Sequence, residues 1–142
     1  MYIDLDIHHG NGVENAYFYS RRVLTLSFHK YEAGFYPGTG SLHDVGCGNG
    51  RGYSVNVPMK EGVSDESLCY LFENIAPSIM RSYQPECLVV QCGGDCLNGD
   101  PLGQSNLTPA GLGRCISGIL AWDKPVLFLG GGNLEKYGVN SL

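Results

Sequence analysis

Hydrophobic and polar residues alternate along the first nine positions of the chain, which predicts a β-strand there. In a strand, Ile3, Leu5 and Ile7 would share one face. The opposite face would carry four polar side chains, Tyr2, Asp4, Asp6 and His8. Burying two carboxylates and an imidazole together without a cation would be costly, so Asp6 and His8 are candidate ligands of one metal ion. Asp4 could orient a ligand or hold a second cation. The alternative is a capped turn that leaves His8 in solvent.

The pattern along the rest of the chain predicts four more strands and three helices. Runs rich in β-forming residues mark strands at 22–29, 53–58, 87–91 and 126–129, and the run at 87–91 should be fully buried. Helical spacing predicts a short helix at 13–19, a helix that starts after Ser64 and is stopped by Pro85, and a helix from Thr108 to about Trp122. Strands that alternate with helices indicate an α/β fold, a parallel sheet flanked by helices.

A third candidate ligand, Asp95, follows the predicted fourth strand through two glycines. Ligands of parallel α/β sheets bind beyond the carboxyl ends of the strands, where Asp95 could meet Asp6 and His8. One histidine and two aspartates make a three-ligand set with an open position, which suits a catalytic divalent ion. The alternative is that Asp95 only caps the turn that follows it.

Two glycine-rich segments could shape a pocket at the same end of the sheet. The long loop at 30–51 contains Phe35 and Tyr36 between glycines and a proline, and such aromatic side chains can wall a narrow pocket for an apolar stem. They could equally cover the core. The glycines at 130–132 would let the backbone approach a ligand, or they form a simple tight turn.

Composition narrows the class of protein. With 142 residues, 43% of them hydrophobic, the chain has the size of a single domain with a core. A net charge of −5 argues against a basic nucleic-acid surface, and no apolar run has transmembrane length. The six cysteines form no Cys-x-x-Cys pair, and no signal peptide is recognisable, so we expect a reduced nuclear or cytosolic compartment. Cys87 and Cys92 should be small core residues.

Four motifs together resemble one enzyme family. They are DLDIHHGNGVE at 4–14, FYPGTG at 35–40, QCGGDCL at 91–97 and LGGG at 129–132. In this order and spacing they resemble the zinc-dependent histone deacetylases of class I, most closely the deacetylase-8 type, over roughly residues 1–134. The resemblance implies an arginase-like fold and hydrolysis of acetyl-lysine on histones or other proteins. It also implies a chromatin regulator of transcription in the nucleus or also in the cytoplasm, without direct contact with nucleic acid or membrane.

The resemblance also implies roles for individual residues. Zinc ligands would be Asp6, His8 and Asp95. One structural potassium ion would lie near Asp4, Asp6, His8, Ser27 and Phe28, and a second near Tyr17, Ser20, Val23 and Tyr53. The tunnel for the acyl-lysine side chain would be lined by Tyr36, which stands where the family usually has Phe, with Leu102 and Gly131.

The chain also departs from the family pattern. The family's zinc-facing histidine pair lies upstream of the opening strand and is absent from this sequence, Asn11 replaces an aspartate, and Asn133 follows Gly132 where a tyrosine is expected. Tyr137 is nearby but out of register. We therefore expect residues 1–142 to be a partial catalytic domain that lacks N-terminal strands, folds poorly by itself and has little activity.

The residues of the chain are also compatible with other functions. The chain could be an inactive truncated homologue that acts as a binding module, or a related amidohydrolase of the acetylpolyamine type. A ureohydrolase with two manganese ions is disfavoured, because Asp95 and Asp100 are five residues apart.

Overall fold

The computed structural model describes residues 1–131, which form a five-stranded parallel sheet with the order β3-β2-β1-β4-β5. The strands are β1 (Tyr2–Asp4), β2 (Thr25–Lys30), β3 (Ser54–Met59), β4 (Leu88–Gly93) and β5 (Val126–Gly131). The helices are α1 (Asn11–Tyr17), α2 (Asp65–Tyr83) and α3 (Pro109–Leu120), with two short 3-10 helices at Gly48–Gly50 and Gly94–Cys96. This architecture confirms the predicted α/β class.

The two faces of the sheet differ in polarity. One face carries the apolar core, in which Phe28 of β2 packs against Phe72 of α2, and Phe72 stacks on Trp122 just after α3. The other face carries a polar row that crosses four strands in register: Asn56, Ser27, Asp4 and Gln91. Helix α1 lies on this polar face, because its Glu14 accepts a hydrogen bond from Asn56 at 3.0 Å.

Local sequence signals set the helix ends. The Thr108 hydroxyl accepts hydrogen bonds from the amides of Ala110 and Gly111, so Thr108 is the predicted N-cap of α3. Ser64 caps α2 by accepting from the Ser67 amide. Helix α2 ends one residue before Gln84, which adopts a left-handed conformation with φ of 51°, so the helix has already ended when Pro85 is reached.

The opening strand is shorter than predicted. Ile3, Leu5 and Ile7 are all buried as expected, but β1 ends at Asp4, and Asp6 and His8 lie beyond it. The reason is local, since the carboxylates of Asp4 and Asp6 each accept a hydrogen bond from the amide two residues further on. These contacts turn the chain away from regular strand geometry.

Two burial predictions were wrong, and a third was met in part. Cys87 is exposed because it precedes β4, whereas Cys92 lies on the same face of β4 as Leu88 and Val90 and packs against the core, but is only half-buried. The fourth strand is not fully buried either, since Leu88 and Val90 face the core while Val89 is half-buried on the other side. Within the described residues, no helix has the length and apolar character needed to cross a membrane.

Candidate metal centre and cleft

Three potential metal ligands converge at the carboxyl end of the central strands. Asp6 and His8 follow β1, and Asp95 lies in the 3-10 helix that follows β4, the neighbour of β1. Their ligand atoms all lie within 4.8 Å of one another. His8 Nδ1 is 3.3 Å from Asp6 Oδ1 and 2.9 Å from Asp95 Oδ2. One nitrogen thus faces two carboxylate oxygens, the donor set that a divalent ion such as Zn²⁺ takes from proteins.

The electrostatics of this cluster favour a cation. Burial, together with the negative charge of Asp6, raises the pKa of the Asp95 carboxyl above its usual value, and the contact with His8 opposes this rise. Behind the cluster, burial raises the pKa of Asp4 to about 6, although hydrogen bonds from Tyr2 and the Asp6 amide partly offset it. Carboxylates held in this way gain from a nearby positive charge.

The chain also leaves room for the two carboxylates. A Cβ atom at Gly93 would lie 2.0 Å from Asp6 Oδ2 and 2.9 Å from Asp95 Oδ1, so any larger residue would displace Asp6. Cys96, next to Asp95, is a poor competing ligand, because burial raises the pKa of its thiol to about 12 and its sulfur faces the Gly93 carbonyl at 3.1 Å. The residues present therefore fit a single metal ion held by oxygen and nitrogen.

A cleft of about 460 Å³ opens directly over this cluster. Its lining includes Asp6, His8 and Asp95 together with Tyr36 and Leu102. This volume lies within the range of small-ligand pockets. The structure thus places the predicted tunnel residues Tyr36 and Leu102 beside the three candidate ligands.

The loop after β2 that carries Phe35 and Tyr36, which we call the aromatic loop, contacts His8 directly. The ring of Phe35 stacks on that of His8, with centroids 5.1 Å apart and an interplanar angle of 3°, and the Tyr36 ring approaches His8 edge-on at 6.0 Å. Tyr36 is 74% exposed, so its function is not to cover the core. Phe35 was named in the predicted pocket loop, but its stacking on His8 could not be read from the sequence.

Sequence reasoning missed a buried lysine between the two sides of the cleft. The Lys30 side chain is 2% exposed, and its Nζ contacts Gln104 Oε1 at 2.5 Å and Glu61 Oε2 at 3.2 Å. The same Nζ lies 4.6 Å from the centroid of the Phe35 ring, a cation–π distance. Lys30 therefore links the aromatic loop to the segment that carries Leu102. A lysine at a strand end gives no signal of burial in the sequence.

Gly131 lies at the end of β5, beside Gly93 of β4. A Cβ atom at Gly131 would come within 2.6 Å of Gln91 Nε2, and Gln91 itself lines the cleft. Gly131 thus allows close packing at the edge of the cleft. Gly132, Asn133 and Tyr137, which the sequence analysis named, lie outside the described residues.

The predicted potassium ligands form two groups in the structure. In the first group, Asp4 and Ser27 are register partners on β1 and β2, and Ser27 lies within 3.5 Å of the Gly10 amide. The second group lies at the other end of the sheet. Its members come from the end of α1, the connection to β2 and the residue before β3: Tyr17, Ser20, Val23 and Tyr53. Both potassium sites stay predictions.

Three of the four histidines are engaged by other groups. His8 faces the carboxylates, His9 contacts Thr39 and Glu14, and His29 contacts Ser27 and the Gly40 carbonyl. His43 is exposed and does not line the cleft. Among the residues that the structure describes, the cleft therefore offers no uncommitted imidazole for proton transfer.

Comparison with known proteins identifies the family. The model of the histone deacetylase domain matches residues 1–140. The chain is 45% identical over 132 residues to histone deacetylase 8 of Xenopus tropicalis, 43% to that of Xenopus laevis and 45% to that of Danio rerio. Each match covers 93% of this chain, and 36%, 41% and 35% of the respective relative, so the chain spans between about a third and two fifths of their length. The chain belongs to the histone deacetylase family.

Proposed function

We propose that this chain is the metal-binding part of a zinc-dependent lysine deacetylase, with residues 1–142 forming part of one catalytic domain. The observation that carries the proposal is the position of Asp6, His8 and Asp95 at the base of a cleft with aromatic walls. The cleft residues suit a long apolar stem that ends in a polar acyl group, which is the shape of an acetylated lysine side chain.

In this proposal Asp6, His8 and Asp95 hold the zinc ion. A bound zinc ion supplies Lewis acidity, which polarises a carbonyl and lowers the pKa of water. The protein side chains bind and orient the substrate. Phe35 and Tyr36 on one side, and Leu102 on the other, enclose the methylene stem and exclude water from it.

The substrate class we propose is acetyl-lysine on histone tails or other proteins, which accords with a nuclear regulator of chromatin and transcription. The acidic net charge of −5 is compatible with a lysine-rich substrate segment. The two structural potassium sites belong to the same proposal. Ser27 and Asp4 are the side chains through which β1 and β2 would hold the first of them.

A second candidate function is binding of acetyl-lysine without hydrolysis. This function is favoured because His9 and His29 already contact other protein groups and are not available for proton transfer. It is also favoured by Asn11, whose amide side chain cannot serve as the carboxylate found there in the family. Loss of general acid–base help typically slows an enzyme by about 10²–10⁴-fold.

The test uses the 142-residue chain loaded with one equivalent of zinc. A fluorescent acetyl-lysine peptide is compared with the same peptide carrying unmodified lysine, and both binding and acetate release are measured. We expect preferential binding of the acetylated peptide that is lost in Asp95→Asn and kept in Asp123→Asn, an exposed turn control. Equal binding of both peptides would refute the proposal, and binding without acetate release would select the second candidate.

A further inference from the structure

Three successive hydrogen bonds run along one side of the opening segment. Tyr2 Oη donates to Asp4 Oδ2 at 2.7 Å, the Asp6 amide donates to Asp4 Oδ1 at 3.0 Å, and the His8 amide donates to Asp6 Oδ1 at 2.8 Å. Each bond spans two residues, so the series starts at Tyr2 and ends at the two candidate metal ligands. Tyr2 itself lies on β1, the central strand of the sheet.

The Asp4 carboxylate has little freedom to move. Its residue is 2% exposed, and a Cβ atom at Gly10 would meet Asp4 Oδ2 at 2.2 Å, which shows how closely the chain wraps around that oxygen. Within residues 1–131, the Tyr2 hydroxyl is the hydrogen-bond donor to that oxygen. Without this donor, Asp4 Oδ2 would be buried without a hydrogen bond, which favours a rotation of the carboxylate. Such a rotation would break or lengthen the hydrogen bond that Asp4 Oδ1 accepts from the Asp6 amide.

We propose that Tyr2 is a positioning residue of the metal centre, one that holds the Asp4 carboxylate so that Asp4 in turn fixes the main chain presenting Asp6 and His8. The inference rests on the proposed function, because it assigns to Tyr2 a role toward the same three-ligand site. Residues that orient metal ligands from behind typically contribute about 10–100-fold to metal affinity. Tyr2 acts through Asp4 and not on the substrate, so it is not a catalytic residue.

The test compares Tyr2→Phe with Tyr83→Phe. Both changes delete one hydroxyl that donates a 2.7 Å hydrogen bond, but the Tyr83 hydroxyl donates to the Arg22 carbonyl, away from the candidate ligands. The zinc dissociation constant is measured by competition with a chromophoric chelator, and the cobalt-substituted chain is compared by its visible absorption. We expect Tyr2→Phe to weaken zinc binding about tenfold and to alter the cobalt spectrum, with both unchanged in Tyr83→Phe.

A double-mutant cycle with Asp4→Asn tests whether Tyr2 acts through Asp4. If it does, adding Tyr2→Phe to the Asp4→Asn chain changes zinc affinity by less than about twofold. The same tenfold loss in both backgrounds, or no loss in Tyr2→Phe alone, would overturn the inference. Failure of the unaltered chain to bind one zinc ion would instead overturn the proposed metal site itself, so the two failures are distinguishable.

Discussion

Gly93 shows how one missing side chain makes room for the candidate metal site. Its backbone φ of −61° is open to any residue, so the glycine is needed for space and not for conformation. A side chain at this position would displace the carboxylate oxygens of Asp6 and Asp95.

Substituting Gly93 by alanine should therefore reduce metal binding more than it reduces stability. We expect zinc affinity to fall at least about tenfold in Gly93→Ala, because the new methyl group displaces Asp6. Gly113→Ala is the matched control, since a Cβ there meets nothing within 4 Å and should stabilise α3 by up to about 1 kcal/mol. Zinc titration and urea unfolding measure the two effects, and equal zinc affinities in the two variants would contradict this account.

His29 is a buried neutral imidazole whose environment resists protonation. Burial, with a smaller contribution from the nearby His9, lowers its pKa from 6.5 to about 4, although contacts with the Gly40 carbonyl, Glu14 and Ser27 oppose the shift. The folded chain therefore binds no proton at His29 until about pH 4, whereas the unfolded chain binds one near pH 6.5.

The sign of this shift predicts acid sensitivity. The stability contributed by neutral His29 is complete above pH 6.5 and is lost as the pH falls from 6.5 to about 4, up to about 3 kcal/mol in all. The measurement is the free energy of urea unfolding between pH 4 and 7, with a chelator present, for the unaltered chain and for His29→Gln. Because the raised pKa of Asp4 contributes the opposite slope, the difference between the two chains isolates His29. Parallel pH profiles would be inconsistent with a buried neutral His29.

At the scale of residues, the sequence predicted that Asp6, His8 and Asp95 lie close together, but it did not predict the burial of the residues around them. Asp6, His8 and Asp95 could be grouped because parallel strand ends meet at one edge of a sheet. The burial of Lys30 and the exposure of Cys87 could not be predicted, because both depend on which segments pack over a strand end. Those are tertiary contacts with no local sequence signal.

At the scale of elements, two loops form the cleft, and Lys30 at the end of β2 joins them. The aromatic loop follows β2 and carries Phe35, whereas the segment after β4 carries Leu102 and Gln104. A buried charge that contacts both loops can fix the positions of the two cleft walls relative to each other. Its replacement by an apolar residue need not lower the free energy of unfolding.

Lys30→Met should loosen both loops without unfolding the sheet. Methionine keeps the apolar stem but removes the contacts with Gln104 and Glu61. We expect faster amide hydrogen exchange in residues 31–40 and 97–106 and unchanged exchange in β1 and β2. Lys124→Met, at an exposed lysine, serves as control. Unchanged exchange in both loops would show that Lys30 does not join them.

The bounds of the elements also show where pattern reasoning stops. The alternation of apolar residues at 3, 5 and 7 correctly predicted which side chains are buried, but it did not predict where β1 ends. The alternation continues past Asp4, although the amides of Asp6 and His8 donate to carboxylates there and not to a neighbouring strand. Periodicity reports which side chains are buried, and it does not report which partner satisfies the backbone.

At the scale of the whole molecule, the sheet has an apolar edge. Strand β5 is paired only with β4 in the described part of the chain, and Leu127, Phe128 and Leu129 are 57%, 37% and 39% exposed. An exposed, apolar edge strand is a template for pairing with another chain.

The isolated chain should therefore self-associate through β5. We expect sedimentation velocity to show concentration-dependent association that is reduced in a Leu127→Lys, Leu129→Lys double variant, because charge at an edge strand disfavours pairing. Leu42→Lys, at a loop position that is 63% exposed, should leave association unchanged. Equal association of all three chains would show that β5 is not the contact.

The fold class and the family were both predictable from the sequence, because helices alternate with strands and four motifs occur in family order. The sequence predicted the polar face of the opening strand, but it could not predict that Asn56, Ser27 and Gln91 continue this face across four strands. That continuation depends on the register between the strands.

The measurement that tests the proposed metal centre most directly is zinc K-edge X-ray absorption on the chain loaded with one equivalent of zinc. We expect scattering from one imidazole and from oxygen ligands at about 2.0–2.2 Å, without sulfur. The chain contains six free cysteines, so zinc bound by thiolates is a real competitor. A zinc–sulfur distance near 2.3 Å would contradict the assignment of Asp6, His8 and Asp95 as the zinc site.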